Sequence, residues 1–150
     1  MAGEVFVDTN VLVYSRDTAE LEKHKKAAAW MTHLWNTRQG RLSYQVLQEF
    51  YVTVTEKLDP GLDRDAARRD VRSFLPWRPM PIDAQVLEGA WHIQDRHRLS
   101  WWDSLIVAAA EVSGCAYLLT EDLQEDAMLG PVRVVNPFRV SPEALGRGRR

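Results

Sequence analysis

The sequence predicts an α/β fold: a three-layer sandwich in which a mostly parallel sheet is flanked by helices. Three observations carry that reading. Short apolar runs, several rich in β-branched and aromatic residues, alternate with segments whose apolar residues recur at helical spacing, which is the pattern of βαβ units with right-handed crossovers. Two of those runs, Val5-Phe6-Val7 and Tyr117-Leu118-Leu119-Thr120, stop abruptly at polar and acidic residues, Asp8-Thr9-Asn10 and Glu121-Asp122. Leu105 to Ala110 is apolar nearly all round, so its helix should be central and buried.

Taken in order, the first strand is Val5 to Val7, and a short turn over Val11 to Arg16 follows it. A helix is predicted from Ala19 to Arg38, with Ala27, Trp30, Met31, Leu34 and Trp35 facing inward and Gly40 as its stop. Arg41-Leu42-Ser43 reads as a second short strand. Gln45 to Leu58 reads as a helix with Val46, Leu47, Phe50, Tyr51, Val54 and Leu58 on its apolar face, ended by Asp59-Pro60-Gly61. Asp63 caps a third helix running to Phe74; its stripe of Arg64, Arg68 and Arg72, interrupted by Asp65 and Asp70, reads as a solvated face, with a phosphate-binding surface as the alternative. Pro76, Pro79 and Pro81 bracket a turn and a short strand ending at Ile82. Asp83 caps the next helix, whose inner face is Val86, Leu87, Ala90 and Trp91. Ser100 to Gly114 forms the buried helix, and Val132 to Val135 the last strand. One domain therefore spans residues 1–140, and 141–150 is expected to be a flexible basic tail closing in Arg147, Gly148, Arg149 and Arg150. The six tryptophans are expected mostly in the core.

Composition excludes several functions. Nineteen basic against 21 acidic residues give a net charge of −2, which rules out affinity for nucleic acid through bulk charge but not acids concentrated in one pocket. No run approaches the roughly 18 apolar residues of a membrane helix, and no secretory leader pattern opens the chain. The single cysteine, Cys115, cannot form an internal disulfide, so a reducing cytoplasm is the expected setting. No glycine-rich phosphate loop, G-x-S-x-G elbow or zinc-spaced His/Cys pattern occurs, and His24, His33, His92 and His97 read as structural or surface residues.

Four carboxylates stand where acids are informative. Asp8 and Asp122 follow strands, at the edge where ligands bind in open α/β sheets. Glu49 lies on the flank of an apolar helix face, and Asp103 in the first turn of the buried helix. Each has a bland alternative: Asp8 as a turn cap, Glu49 as a flank charge, Asp103 as a partner of Ser100 in a capping box. Should all four converge, each pair about 4 Å apart would repel by roughly 4 kcal/mol at an effective dielectric near 20. Several such pairs rival a domain's whole stability of roughly 5–15 kcal/mol, so a cation, a proton or basic side chains must relieve them. Oxygen-only donors favour Mg2+ or Mn2+, and such a site suits hydrolysis of phosphate esters by activated water.

At this point the chain resembles a known family. Val5-Phe6-Val7-Asp8-Thr9-Asn10, Gln48-Glu49-Phe50, Trp102-Asp103-Ser104-Leu105-Ile106 and Leu118-Leu119-Thr120-Glu121-Asp122-Leu123 are similar, in order and spacing, to the acidic motifs of the PIN domain. The size is similar to that of the VapC toxins of type II toxin–antitoxin pairs. The resemblance implies a PIN-like sheet flanked by helices and a Mg2+-dependent endoribonuclease that cleaves tRNA, rRNA or mRNA, usually as a homodimer, with a small cognate antitoxin blocking the site. Carried over, Asp8 and Asp103 would be the principal metal ligands and Glu49 and Asp122 would complete the quartet. Thr9, Asn10 and Thr120 would orient carboxylates or waters. Glu125 stands where an aromatic often follows the last motif, and Asp126 is either a further acid of the site or a surface charge; Asp122 is preferred over Glu121 and Asp126. Two rivals remain: a catalytically silent PIN-like module that binds RNA or protein, and a small-molecule phosphatase, which would want an acid where Asn10 stands.

Overall fold

The computed structural model describes residues 3–148, with side chains through Leu145. The elements run β1 (Val5–Val7), α1 (Thr9–Tyr14), α2 (Leu21–Thr37), β2 (Gly40–Arg41), α3 (Tyr44–Glu56), α4 (Arg64–Ser73), a 3-10 turn (Leu75–Trp77), α5 (Ala84–His97), α6 (Trp101–Val112), β3 (Tyr117–Leu119), β4 (Met128–Leu129), β5 (Val132–Val135) and α7 (Pro142–Gly148). They form a five-stranded sheet in the order β2-β1-β3-β5-β4, parallel except for β4. Helices flank it, with α1 against α2 and α3, α5 against α6, and α7 against α2. The expected α/β architecture is therefore present.

Central strands in such a sheet are covered on both faces and read as continuous apolar runs. Accordingly Phe6, Val7, Leu118 and Leu119 are fully buried, together with Trp30, Leu34, Phe50 and the apolar run of α6. Polar side chains start the helices: the oxygens of Ser43, Asp63, Asp83 and Ser100 accept backbone N–H bonds at 3.3, 2.8, 3.1 and 3.1 Å, each cap contributing ~1 kcal/mol. Among the described residues no helix is long and apolar enough to cross a membrane. Cys115 is buried, which pushes its thiol up to about 12 and leaves it unreactive.

Several local expectations give way. Residues 9–14 form α1 rather than a turn, because Val11 and Leu12 bury on one side while the Asp8 carboxylate accepts the Thr9 N–H at 2.7 Å. The second strand is Gly40–Arg41, since Ser43 leaves it to cap α3 and keeps only an isolated bridge to Met80. That bridge is all that forms of the strand expected before Ile82; Pro79 and Pro81 lack the N–H groups a ladder needs. Strand β4 was not expected, being two residues folded back on β5 through Gly130 at φ +64°. Where a frayed tail is predicted from Ser141, the Ser141 hydroxyl accepts the Ala144 N–H at 3.1 Å, α7 follows, and Leu145 is buried. Arg149 and Arg150 lie outside the described residues. Of the tryptophans, Trp30 and Trp77 are buried, but Trp35, Trp91 and Trp102 are 41%, 53% and 62% exposed.

Gly40 shows how tightly the β2 edge is packed. A Cβ there would overlap the six-membered ring of Trp77. Gly40→Ala should therefore lower unfolding free energy by about 1–3 kcal/mol, because a buried indole must move. Gly89→Ala on α5, whose new Cβ would meet only the Ala108 Cβ at 3.5 Å, should be neutral or stabilise by up to about 1 kcal/mol through helix propensity. Urea unfolding midpoints of the two variants check the contrast.

Candidate active site

Parallel pairing of β1 with β3 places Val7 opposite Leu119, so Asp8 and Thr120 emerge side by side at the carboxyl edge of the sheet. Thr120 is fully buried and Asp8 is 5% exposed. The Thr120 hydroxyl donates to Asp8 Oδ2 at 2.9 Å and accepts from the Asp122 N–H and from Asn10 Nδ2, each at 3.0 Å. One donor and two lone pairs are thereby all used. The Asn10 amide also donates to Asp122 Oδ2 at 3.0 Å, with a long 3.4 Å approach to Asp8 Oδ2. These contacts join the two strand-end acids through Asn10 and Thr120.

The helices supply the other two acids. Thr9 Oγ1 donates to Glu49 Oε1 at 2.7 Å, tying the start of α1 to α3. Gln45, one turn before Glu49, donates to Glu49 Oε2 at 3.3 Å and to the Trp102 carbonyl at 3.4 Å, linking α3 to the first turn of α6. Asp103 is half-buried there, its own N–H held by Ser100 Oγ at 3.1 Å. The fold thus brings together Asp8, Thr9, Asn10, Glu49, Asp103, Thr120 and Asp122. Gln45 was missed in the sequence, where only its place four residues before Glu49 on one helix face marks it.

No basic side chain of the described residues pairs with the cluster: none of its four acids forms an ion pair. Burial is the main force raising the Asp8 carboxyl to about 7; the Asp122 and Asp103 charges add to it, and hydrogen bonds from Thr120 and Thr9 oppose it. Asp103 is also raised, first by burial and then by Asp122 and Glu49, against the hydrogen bond with Ser100. The neighbouring acids are differently placed. Glu121 is salt-bridged at 2.8 Å to Lys23, whose ammonium also sits 4.9 Å over the Tyr14 ring and 5.3 Å over that of Phe138. Asp126 faces Arg133 at 3.9 Å across the β4–β5 hairpin.

No three Asp, Glu, His or Cys side chains among the described residues approach closely enough to enclose a bare ion. The donors are carboxylate oxygens only, which fits a hard divalent cation such as Mg2+; that ion keeps several waters and binds proteins through one or two carboxylates.

Comparison with known proteins agrees with this fold. The sequence model of the PIN domain matches residues 5–126, and the chain belongs to that family. Its structure is similar to a chain of a toxin–antitoxin complex from Klebsiella pneumoniae, at 19% identity and TM-score 0.61, over 89% of this chain and 98% of that one. It is also similar to VapC20 of Mycobacterium tuberculosis, described as a toxin that cleaves the sarcin–ricin loop, at 18% identity and TM-score 0.56, over 77% and 87% of the two chains. A third similar fold is in VapBC2 of Rickettsia felis bound to a promoter DNA fragment, at 13% identity and TM-score 0.57, over 88% and 98%. No curated protein matches the chain by sequence.

The raised Asp8 carboxyl has a measurable consequence. Folded Asp8 holds its proton to about pH 7, whereas an aspartate of ordinary surroundings releases it near 3.8. The folded chain therefore binds more protons between these values, and stability is full below 3.8 and lost as pH rises through 7. Asp8→Asn removes that loss. In chelator, urea unfolding should show the variant gaining on the parent by on the order of 2–4 kcal/mol as pH climbs across this window. Excess Mg2+ should narrow the gap by stabilising the parent alone.

Proposed function

We propose that this chain is a Mg2+-dependent endoribonuclease, with Mn2+ able to substitute, acting as the toxin of a toxin–antitoxin pair. The observation that carries the reading is the gathering of Asp8, Glu49, Asp103 and Asp122 from separate parts of the chain, none of them in an ion pair among the described residues. Membership of the PIN-domain family and folds shared with toxin–antitoxin proteins support it.

Each residue has a role in this reading. Asp8 and Asp103 would hold the cation, with Glu49 and Asp122 completing the acidic wall. A divalent ion held there would supply water of lowered pKa and offset the charge that builds up during in-line displacement at the phosphorus of a phosphodiester. Thr120 and Asn10 hold the Asp8 and Asp122 carboxylates in fixed rotamers, and Thr9 and Gln45 do the same for Glu49, so little reorientation remains when substrate arrives. The substrate would be a tRNA, rRNA or mRNA. A small cognate antitoxin would cover the site, the working form would be a homodimer, and the setting a reducing cytoplasm.

The test is cleavage of a panel of tRNA, rRNA and mRNA with Mg2+, with Mn2+ and with chelator. Metal-dependent scission is expected, Asp103→Asn and Asp8→Asn should each reduce it beyond detection, and Asn10→Ala should reduce it by about 10–100-fold. RNA binding without any metal-dependent scission would instead identify a catalytically silent binding module. A small partner that co-purifies with the chain and suppresses scission would support the antitoxin.

A further inference from the structure

At the opposite edge of the sheet lies a second cleft, and it is cationic. Its volume is about 500 Å³, and its walls include Glu4, Trp35, Arg38, Arg41, Trp77 and Arg78, with Gly40 as part of its floor. Glu4 precedes β1 whereas Asp8 follows it, so this cleft faces away from the acidic site. Three guanidiniums oppose one carboxylate, in a chain whose net charge is −2.

The arginines are poorly satisfied by the protein itself. Arg41 reaches Glu4 only at 3.6 Å and the Arg78 carbonyl at 3.4 Å, and its buried Nε has no hydrogen-bond partner among the described residues. Neither Arg38 nor Arg78 forms an ion pair among the described residues, and both are exposed. A guanidinium offers five donors in a planar fork that matches phosphate oxygens two at a time. Most of that capacity is unspent here.

Beside the arginines stands an aromatic wall. Trp35 and Trp77 lie 5.0 Å apart between ring centroids, and Phe74 packs on both at 5.4 and 5.0 Å. Trp77 and Phe74 are buried, but Trp35 is 41% exposed, held from behind with an open surface. A ring so held is a platform on which a base can stack, at little entropic cost. Cations alone would suit any acidic ligand; cations beside a supported, open indole suit a phosphate attached to a base. The cavity volume lies within the roughly 300–1,000 Å³ of small-ligand sites.

We propose that this cleft binds a nucleotide, with its phosphate on Arg38, Arg41 and Arg78 and its base on Trp35. The nucleotide is either free or one residue of a single RNA strand whose scissile bond lies elsewhere. The proposal does not rest on the acidic site being catalytic.

Binding to the full chain in chelator tests it, read by tryptophan fluorescence and by calorimetry. The probes are adenosine 5′-monophosphate, adenosine, inorganic phosphate, single-stranded tetra-adenylate and hexaglutamate. Adenosine 5′-monophosphate should bind saturably and roughly tenfold or more tighter than adenosine or phosphate alone, because both halves of the cleft contribute. The double variant Arg38→Gln/Arg78→Gln should weaken it by a similar factor with the urea midpoint unchanged, both side chains being exposed. Trp35→Leu should erase the advantage over inorganic phosphate. Tighter binding of tetra-adenylate than of the mononucleotide, lost in the same variants, assigns the cleft to an RNA strand; equal binding assigns it to the free nucleotide. The proposal is overturned by absence of binding for both nucleotide probes, by binding that survives all three substitutions, or by hexaglutamate binding as tightly as the mononucleotide.

Discussion

The hydrogen bond from the Thr120 hydroxyl to Asp8 is the contact on which the acidic edge depends. A carboxylate as buried as Asp8 is unfavourable unless donors meet it. Thr120, the Thr9 N–H and, more distantly, Asn10 supply those donors. Thr9 and Asn10 are neighbours of Asp8 in the chain, but Thr120 reaches it only because β1 and β3 are parallel neighbours ending at the same level. The same pairing carries Asp122 toward Asp8, since Asn10 and Thr120 hold both. Strand register thus becomes electrostatics: a slip of one residue would turn Asp8 to the other face and dissolve the cluster.

The chain separates acids left without a cationic partner among the described residues from acids paired with one. Glu121 and Asp122 are adjacent, yet Lys23 takes the first and Asn10 holds the second without cancelling its charge. Asp126 faces Arg133. The difference lies in which cation the fold brings near, not in residue type or place in the motif. Burial then acts on what remains, raising Asp8 and Asp103 and leaving the edge with an unmet demand for positive charge.

A small net charge conceals a polar distribution. Acids collect where β1 and β3 end, and arginines with tryptophans collect on the far side, around Gly40 and Arg41. The apolar layer between them, with Phe6 and Leu118 fully buried, keeps the two ends apart and rigid. The close packing of Trp77 over Gly40 belongs to this arrangement, because it holds the aromatic wall in place.

By itself the sequence determined the alternation of strands and long helices, the burial of the Leu105–Ala110 run, the helix caps at Asp63, Asp83 and Ser100, and the residue types of the acidic motifs. Hydrophobic period and cap chemistry are local, so they can be read without coordinates. Short elements escaped that reading. Helix α1 and strand β4 have six and two residues and are held by neighbours rather than by propensity. Tertiary structure decided the rest. It placed Glu49 against Thr9, 40 positions away, and chose Lys23 for Glu121, 98 positions away. It alone assembled Trp35, Arg41 and Arg78 into one cleft. Which charges are cancelled and which left bare depends on distances across the fold, and no pattern along the chain encodes a distance of that kind.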